Sequence, residues 1–328
     1  MPELDASGVV AAVFGDRSPS QVRAWLDRHL KDHLGAAIET ITFQAGDIGA
    51  VFGLRLVDGN EVVVKALRPG DNVFRLATVV GCQRRLAAAG FGCAEIVDGP
   101  SSTDGVMAMV ERRLQCSPTG SPHSPVTRRA MAAGLASQIG LLADVDGWAL
   151  VQNRPAWANW ETGAWPAPHD PIFDFSTPVS GYEWIDAAAD RAAGVLRDLS
   201  GLQPTVGHSD WVWQNVCVHD GRLVAGYDWD SLVFAPESII VGLAAGAFTQ
   251  GSPDPPDAPS ADEVVGFVSE YQAARDRGFE PAERRAVGAA ATWVRCYNAR
   301  CQLDNRQRRA TDPPTGSFID QLTIDLRP

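Results

Sequence analysis

The sequence predicts an α+β protein, with a small β-rich region at the N-terminal end and a larger α-rich region after it. The first observation is a strand–turn–strand pattern, in which apolar residues 51–57 and 61–67 flank an Asp58-Gly59 hairpin turn. The second is another strand pattern over residues 105–114. The third is helical spacing of apolar residues in most of the later chain, at 125–145, 182–199 and 262–310.

Length and composition are those of a globular protein with two domains. The chain has 328 residues, of which 45% are hydrophobic and 21% charged. Domains usually contain about 150 residues each. We therefore expect one domain over residues 1–112 and a second over residues 113–328.

The charge and the apolar pattern argue against two classes of partner. A net charge of -12 disfavours nucleic acid, whose phosphates require a basic surface. It is compatible with a cationic small molecule, although such a charge mainly serves solubility. The longest weakly polar run, residues 238–248, is too short to span a membrane and predicts a packed core segment. The sequence does not indicate an oligomeric state.

The cysteines and the amino terminus indicate a cytoplasmic location. The start of the chain lacks the basic and apolar stretches of a secretory signal. The chain has six cysteines and no Cys-x-x-Cys pair, so we expect free thiols in a reducing compartment.

A segment near position 210 combines the residue types of a metal-dependent active site. Residues 216–218 and 222–227 predict two short strands joined by an Asp220-Gly221 turn. Asn215 and Asp228 then lie at the open end of this hairpin, and Asp210 lies on the loop that leads into it. Carboxylate and amide oxygens suit a hard cation such as Mg²⁺.

The pattern His208-x-Asp-x-x-x-x-Asn215, followed by Asp228, resembles the catalytic segment of the protein-kinase-like phosphotransferases. Its Asp-Trp-Asp form resembles the aminoglycoside phosphotransferase branch, whose members modify small molecules. The resemblance implies a two-lobed kinase-like fold, with ATP or GTP as the phosphoryl donor and Mg²⁺ as the metal. It further implies Asp210 as the catalytic residue, Asn215 and Asp228 as metal ligands, and His208 as a structural residue of the loop.

The same resemblance implies a nucleotide site in residues 1–112. Lys65 matches the lysine that binds the nucleotide phosphates, although it is also compatible with a surface lysine at a strand end. Gly46 and Gly49 match a loop that covers the nucleotide, or an ordinary turn. Glu111 lies on the strand that leads to the adenine-binding linker, or on a plain core strand.

One feature departs from the kinase pattern. Such folds place a glutamate on the helix after the lysine strand, where it pairs with the lysine. The candidate helix, residues 72–89, contains no glutamate. The sequence leaves Asp71, Gln83 or the substrate phosphates as partners of Lys65.

A tryptophan-rich insert over residues 148–178 is the candidate acceptor-binding segment. We expect this irregular stretch to be unable to bury Trp157, Trp160 and Trp165 together without a packing partner. Aromatic side chains near a carboxylate such as Asp230 suit an amine-bearing ligand. The alternative is a loop that packs on the helical domain.

The sequence therefore predicts a kinase that transfers the γ-phosphoryl group to a hydroxyl of a small, aminoglycoside-like molecule. Ala235-Pro236-Glu237 follows Asp228 too closely to end a protein-kinase activation segment, so protein acceptors are disfavoured. A metabolic kinase for an amino alcohol or sugar remains an alternative. A nucleotide-binding pseudoenzyme remains another, because of the missing helix glutamate.

Overall fold

The computed structural model divides into two units, Met1–Gln115 and Cys116–Pro328. It describes residues 4–5, 8–46, 49–67, 72–161, 165–170, 172–254, 257–309 and 316–326. The predicted mixture of a β-rich first part and an α-rich second part is confirmed. The assignment of separate functions to residues 1–112 and 113–328 stays a prediction.

The first unit is built on a five-stranded antiparallel sheet in the order β1-β2-β3-β5-β4. One face of the sheet packs on α1 and α2, because alternate apolar residues of β3 (Val62, Val64 and Ala66) point into that core. The opposite face carries α3, which packs against β4 and β5 through Leu76 and Val80. The elements are α1 Gly8–Phe14, α2 Pro19–Leu34, β1 Ile38–Ala45, β2 Ala50–Leu56, β3 Glu61–Ala66, α3 Val73–Ala88, β4 Ile96–Thr103 and β5 Val106–Arg112.

The sequence of helix α2 and its two flanking residues determines where this helix begins, where it ends and which face is buried. Ser18 caps its first turn in a reciprocal hydrogen-bonded box with Gln21, and Gly35 ends it with φ 64°, a left-handed conformation that glycine adopts without strain. Trp25 and Leu30 lie on its buried face. Both ends and the apolar face are therefore encoded within the helix itself.

The second unit is mainly helical and contains two short antiparallel ribbons, β6–β9 and β7–β8. Its helices α6 and α8 cross closely, since a Cβ atom on Gly242 would lie 2.5 Å from the Val287 carbonyl oxygen. The predicted core segment at 238–248 is confirmed as α6, which is buried along most of its length. The elements are α4 Pro125–Leu141, α5 Glu183–Asp198, β6 Pro204–His208, β7 Val216–His219, β8 Arg222–Gly226, β9 Leu232–Pro236, α6 Glu237–Ala247, α7 Ala261–Ala274, α8 Pro281–Arg309 and α9 Phe318–Leu326.

The expectation of six free thiols is wrong. Cys116 and Cys217 form a disulfide across a sequence separation of 101 residues, which joins the start of the second unit to strand β7. The other four cysteines are free: Cys82, Cys93, Cys296 and Cys301. Among the residues that the structure describes, none of the helices has the length and apolarity needed to cross a membrane.

We expect the Cys116–Cys217 bond to stabilise the folded chain by about 2–4 kcal/mol, because it closes a long loop in the unfolded state. Urea unfolding with and without a phosphine reductant measures this difference. The double variant Cys116→Ser/Cys217→Ser serves as the control, and its stability should not respond to the reductant. Alkylation of all six cysteines in denatured, unreduced protein would contradict the bond.

A buried histidine lies between α2 and the end of β4. His29 is 0% exposed, and its Nδ1 lies 2.9 Å from the Thr103 hydroxyl. The pKa of His29 is lowered to about 4, mainly by burial and also by the neighbouring His33, against the opposing charges of Asp98 and Asp32. The ring is therefore neutral in the folded protein at pH 7.

The folded protein should lose stability as the pH falls from about 6.5 to about 4, because His29 binds a proton in the unfolded chain before it does so in the folded one. The full loss from this group is about 3 kcal/mol. The variant His29→Gln should show a smaller loss over the same range, measured by urea unfolding at several pH values. Equal pH slopes for the two proteins would show that His29 is not responsible.

Candidate active site

The hairpin predicted around Asp220-Gly221 is present as β7 and β8. Both turn residues have positive φ angles, 49° and 70°, as a two-residue hairpin turn requires. Val216 pairs with Gly226, so the hairpin opens at the next residues outward, where the Tyr227 N–H donates to the Asn215 carbonyl at 2.8 Å. Asn215 is thereby held beside the residue that precedes Asp228.

The second ribbon brings the loop with Asp210 to the segment that contains Asp228. His208 ends β6 and pairs with Leu232 at the start of β9. Ser209 extends this pairing, since its N–H and its hydroxyl both donate to the Ser231 carbonyl, at 3.1 and 2.7 Å. The loop with Asp210 and the segment with Asp228 therefore adjoin the same end of the β6–β9 ribbon.

The imidazole of His208 connects these two segments. Its Nδ1 accepts from the Asp210 N–H at 3.2 Å, and its Nε2 lies 2.9 Å from the Tyr227 carbonyl. Since a carbonyl can only accept, this arrangement selects the neutral tautomer with the proton on Nε2. The ring is fully buried between the edges of Trp211 and Trp229. This geometry fits the structural role predicted for His208.

Asp210 and Asn215 are in direct contact. The Asn215 side-chain amide donates to the Asp210 carboxylate at 2.7 Å and to the Asp210 carbonyl at 3.0 Å. Burial raises the pKa of Asp210 to about 6, the Asn215 hydrogen bond opposes this shift, and the nearby charge of Asp230 adds to it. A carboxylate with a raised pKa is suited to accept a proton near neutral pH.

Asp228 lies in a conformation that few residue types adopt. Its backbone is left-handed, with φ 59° and ψ 47°, and Asp and Asn tolerate this region better than other residues with a Cβ atom. The Ser231 hydroxyl donates to its carboxylate at 3.3 Å. Asp230 follows in the same short turn, which closes the segment before β9.

Oxygen donors of the right kind for Mg²⁺ occur at Asn215 and Asp228. No cluster of three potential His, Cys, Asp or Glu ligands occurs among the residues that the structure describes. Mg²⁺ commonly takes only one or two carboxylates from the protein and completes its shell with water and substrate phosphates. The donor set therefore fits this cation.

In the first unit, Lys65 lies on the face of β3 that is opposite to the Val64 core. Its side chain is only 12% exposed. The glycines of the β1–β2 connection lie close to it along the sheet, because Val51 pairs with Lys65. A Cβ atom on Gly46 would lie 1.9 Å from the Gly49 carbonyl oxygen, so this tight turn requires glycine. Residues 47 and 48 of the predicted loop lie outside the described residues.

The partner of Lys65 that the structure shows was not among those considered from the sequence. The Glu111 carboxylate lies 3.6 Å from the Lys65 ammonium. Gln83, one of the expected partners, donates instead to Glu111 at 3.1 Å. Asp71, another expected partner, lies outside the described residues. The sequence analysis named Glu111 because of its place on the strand that leads to the adenine-binding linker. It did not predict that the Glu111 side chain contacts Lys65.

Two of the three candidate tryptophans of the insert are buried, with partners from outside the insert, as the expectation requires. Trp157 and Trp160 are only 9% and 3% exposed. Trp165 is half-buried and contacts Trp293 of α8 with its ring tilted by 36°, while its indole N–H donates to Asp186. The insert therefore packs on the helices of the second unit, as the alternative interpretation holds. A role for these residues and Asp230 in acceptor binding stays a prediction.

The insert also contacts the loop that carries Asp210. The Trp157 indole N–H donates to the Ser209 hydroxyl at 3.2 Å, and the Trp293 indole N–H donates to the Trp157 carbonyl at 2.8 Å. A chain of hydrogen bonds thus runs from α8 through the insert to the residue before Asp210.

Solved structures with small-molecule kinase activity share the fold of this chain. An amicoumacin kinase in complex with AMP-PNP, Ca²⁺ and Ami matches with a TM-score of 0.56 at 12% identity, over 86% of this chain and 91% of that one. Aminoglycoside phosphotransferase APH(4)-Ia matches with a TM-score of 0.54 at 15% identity, over 89% and 94%. An aminoglycoside-3′-phosphotransferase of type VIII matches with a TM-score of 0.52 at 16% identity, over 83% and 98%.

The amino-acid sequence alone gives no such match: no family model and no curated protein matches it. At these low identities the solved structures establish the architecture. The chain has the α+β protein-kinase-like fold of the aminoglycoside phosphotransferases.

Proposed function

We propose that this protein is a small-molecule kinase, which transfers the γ-phosphoryl group of ATP or GTP to a hydroxyl group of its acceptor. One observation carries the proposal. At one end of the β6–β9 ribbon, His208 bonds both to Asp210 and to the residue before Asp228, and Asn215 bonds to the Asp210 carboxylate. The shared fold with small-molecule phosphotransferases supports it.

Asp210 is the residue that orients the acceptor hydroxyl and accepts its proton. Its carboxylate is held by Asn215, and its pKa is raised by burial to about 6, so at pH 7 to 8 it is mostly ionised and still basic. An ordinary aspartate would be a weaker base. His208 positions the backbone of this residue and does not itself contact the acceptor in this proposal.

Asn215 and Asp228 would hold Mg²⁺. The ion would neutralise charge on the nucleotide phosphates. Lys65 would bind the phosphates with its ammonium group, and Gly46 and Gly49 would let the backbone of their turn approach the nucleotide. Neighbouring structures were solved with AMP-PNP and ADP, which supports a nucleotide donor.

The acceptor class that we propose is a small cationic molecule. Asp230 adds a negative charge near Asp210, and the whole chain has a net charge of -12. One neighbour was solved as a ternary complex with ADP and hygromycin B, which supports an aminoglycoside-like acceptor. An amino alcohol fits the same charge, so a phosphorylation screen should include both classes.

The variant Asp210→Asn should lower kcat by about 100-fold or more, because it keeps the shape of the side chain and removes the base. Its affinity for Mg-nucleotide should change by less than about threefold. Steady-state kinetics and calorimetric titration measure the two effects. Asp220→Asn, in the exposed turn of the same hairpin, is the matched control. Wild-type turnover in Asp210→Asn would exclude Asp210 from the mechanism.

The variant Asp228→Asn should weaken Mg-dependent nucleotide binding by about tenfold or more. Asparagine tolerates the left-handed backbone at this position, so the substitution removes the charge without adding strain. Thermal unfolding with ATP or GTP, each with Mg²⁺ or with EDTA, measures the effect, because a ligand stabilises the state that it binds. An unchanged Mg²⁺-dependent shift would remove Asp228 from the metal site.

A further inference from the structure

A carboxylate of the five-stranded sheet accompanies Lys65. In the antiparallel β3–β5 pair, Lys65 lies opposite Met109, and Glu111 is two residues further along β5 on the same face. Such diagonal neighbours are within reach of long side chains. The observed distance of 3.6 Å between the ammonium and the carboxylate follows from this register.

Both members of this pair are shielded from water. The side chains of Lys65 and Glu111 are only 12% and 8% exposed. A buried charge is costly unless a group of opposite sign or a hydrogen bond compensates it. Each charge therefore helps to keep the other in place.

Helix α3 contributes a hydrogen bond to this pair in place of a charge. The fully buried Gln83 amide donates both to Glu111 at 3.1 Å and to the Ala94 carbonyl at 2.9 Å. Both partners accept, so the amide nitrogen must face them. Gln83 thus orients the Glu111 side chain without neutralising its charge, and Lys65 compensates that charge.

We propose that Glu111 is the positioning residue for Lys65: it holds the ammonium group where the phosphates of the bound nucleotide need it, with Gln83 fixing the orientation of Glu111. This inference rests on the proposed function, since it assumes that Lys65 binds a nucleotide. It explains how the chain retains an ordered lysine although α3 contains no glutamate. In this arrangement the positions of Lys65 and Glu111 are set by the pairing of two strands.

The test compares Mg-nucleotide dissociation constants, with MgATP and MgGTP as probes, for the full chain and its variants. Glu111→Gln should weaken binding about tenfold and raise the KM for nucleotide, with little change in the KM for the acceptor. Gln83→Leu, which leaves the charge pair but removes its orienting amide, should weaken binding about threefold. Glu95→Gln, which removes an exposed ion pair with Arg112 in the same sheet, is the matched control and should bind as the wild type does.

A double-mutant cycle separates positioning from a general effect on folding. In a Lys65→Met background, Glu111→Gln should cause no further loss of nucleotide affinity, because it acts through the lysine. An equal loss in both backgrounds would overturn the inference, as would unchanged affinity in both Glu111→Gln and Gln83→Leu. If Glu111→Gln does not fold, Gln83→Leu in the two backgrounds decides the question in the same way.

The same titrations distinguish this inference from the proposed function. A wild-type protein that binds neither MgATP nor MgGTP refutes the proposed function and the inference with it. A wild-type protein that binds one of them, with variants that bind it equally well, refutes only the role of Glu111.

Discussion

The arrangement of the candidate active site depends on the two hydrogen bonds of one buried imidazole. His208 accepts from the backbone of Asp210 and donates to the Tyr227 carbonyl, 19 residues along the chain, so it connects the loop of Asp210 to the segment of Asp228. Trp211 and Trp229 enclose the ring and exclude water. With both nitrogens in use, protonation of the ring would break the bond that Asp210 donates. The neutral imidazole is therefore a condition for the geometry of the site.

The residues with proposed chemical roles are positioned mainly by strand pairing, although Asn215 also ends a short 3-10 turn, Trp213–Asn215. Asn215 is placed by the mouth of a hairpin, and Lys65 and Glu111 by the register of two neighbouring strands. Backbone pairing fixes such positions closely, which suits groups that must meet a phosphate or a hydroxyl. The helices around them supply burial and hydrogen bonds, as Gln83 does for Glu111.

Local features of the sequence predicted much of the fold and the hairpin whose open end carries Asn215, one of the two proposed metal ligands. The Asp-Gly turn defines its hairpin within a few residues, and strand alternation gives the face of Lys65. The pairing of Lys65 with Glu111 could not be predicted, because it depends on a register between β3 and β5 that no local pattern encodes. The Cys116–Cys217 bond spans 101 residues and has no local signal either. Strand β4 was missed because its Gly-Pro-Ser-Ser sequence disfavours a strand, and it is tolerated at the sheet edge.

The local structure favours an aspartate at position 228 but disfavours an ionised aspartate at position 210. At Asp228 the left-handed turn itself favours Asp or Asn, so backbone conformation alone accounts for that residue type. At Asp210 burial raises the pKa to about 6, which means that the ionised carboxylate costs stability at neutral pH. An asparagine in its place would avoid that cost. The charge of Asp210 therefore adds nothing to the stability of the fold, which is consistent with the catalytic role proposed for this carboxylate.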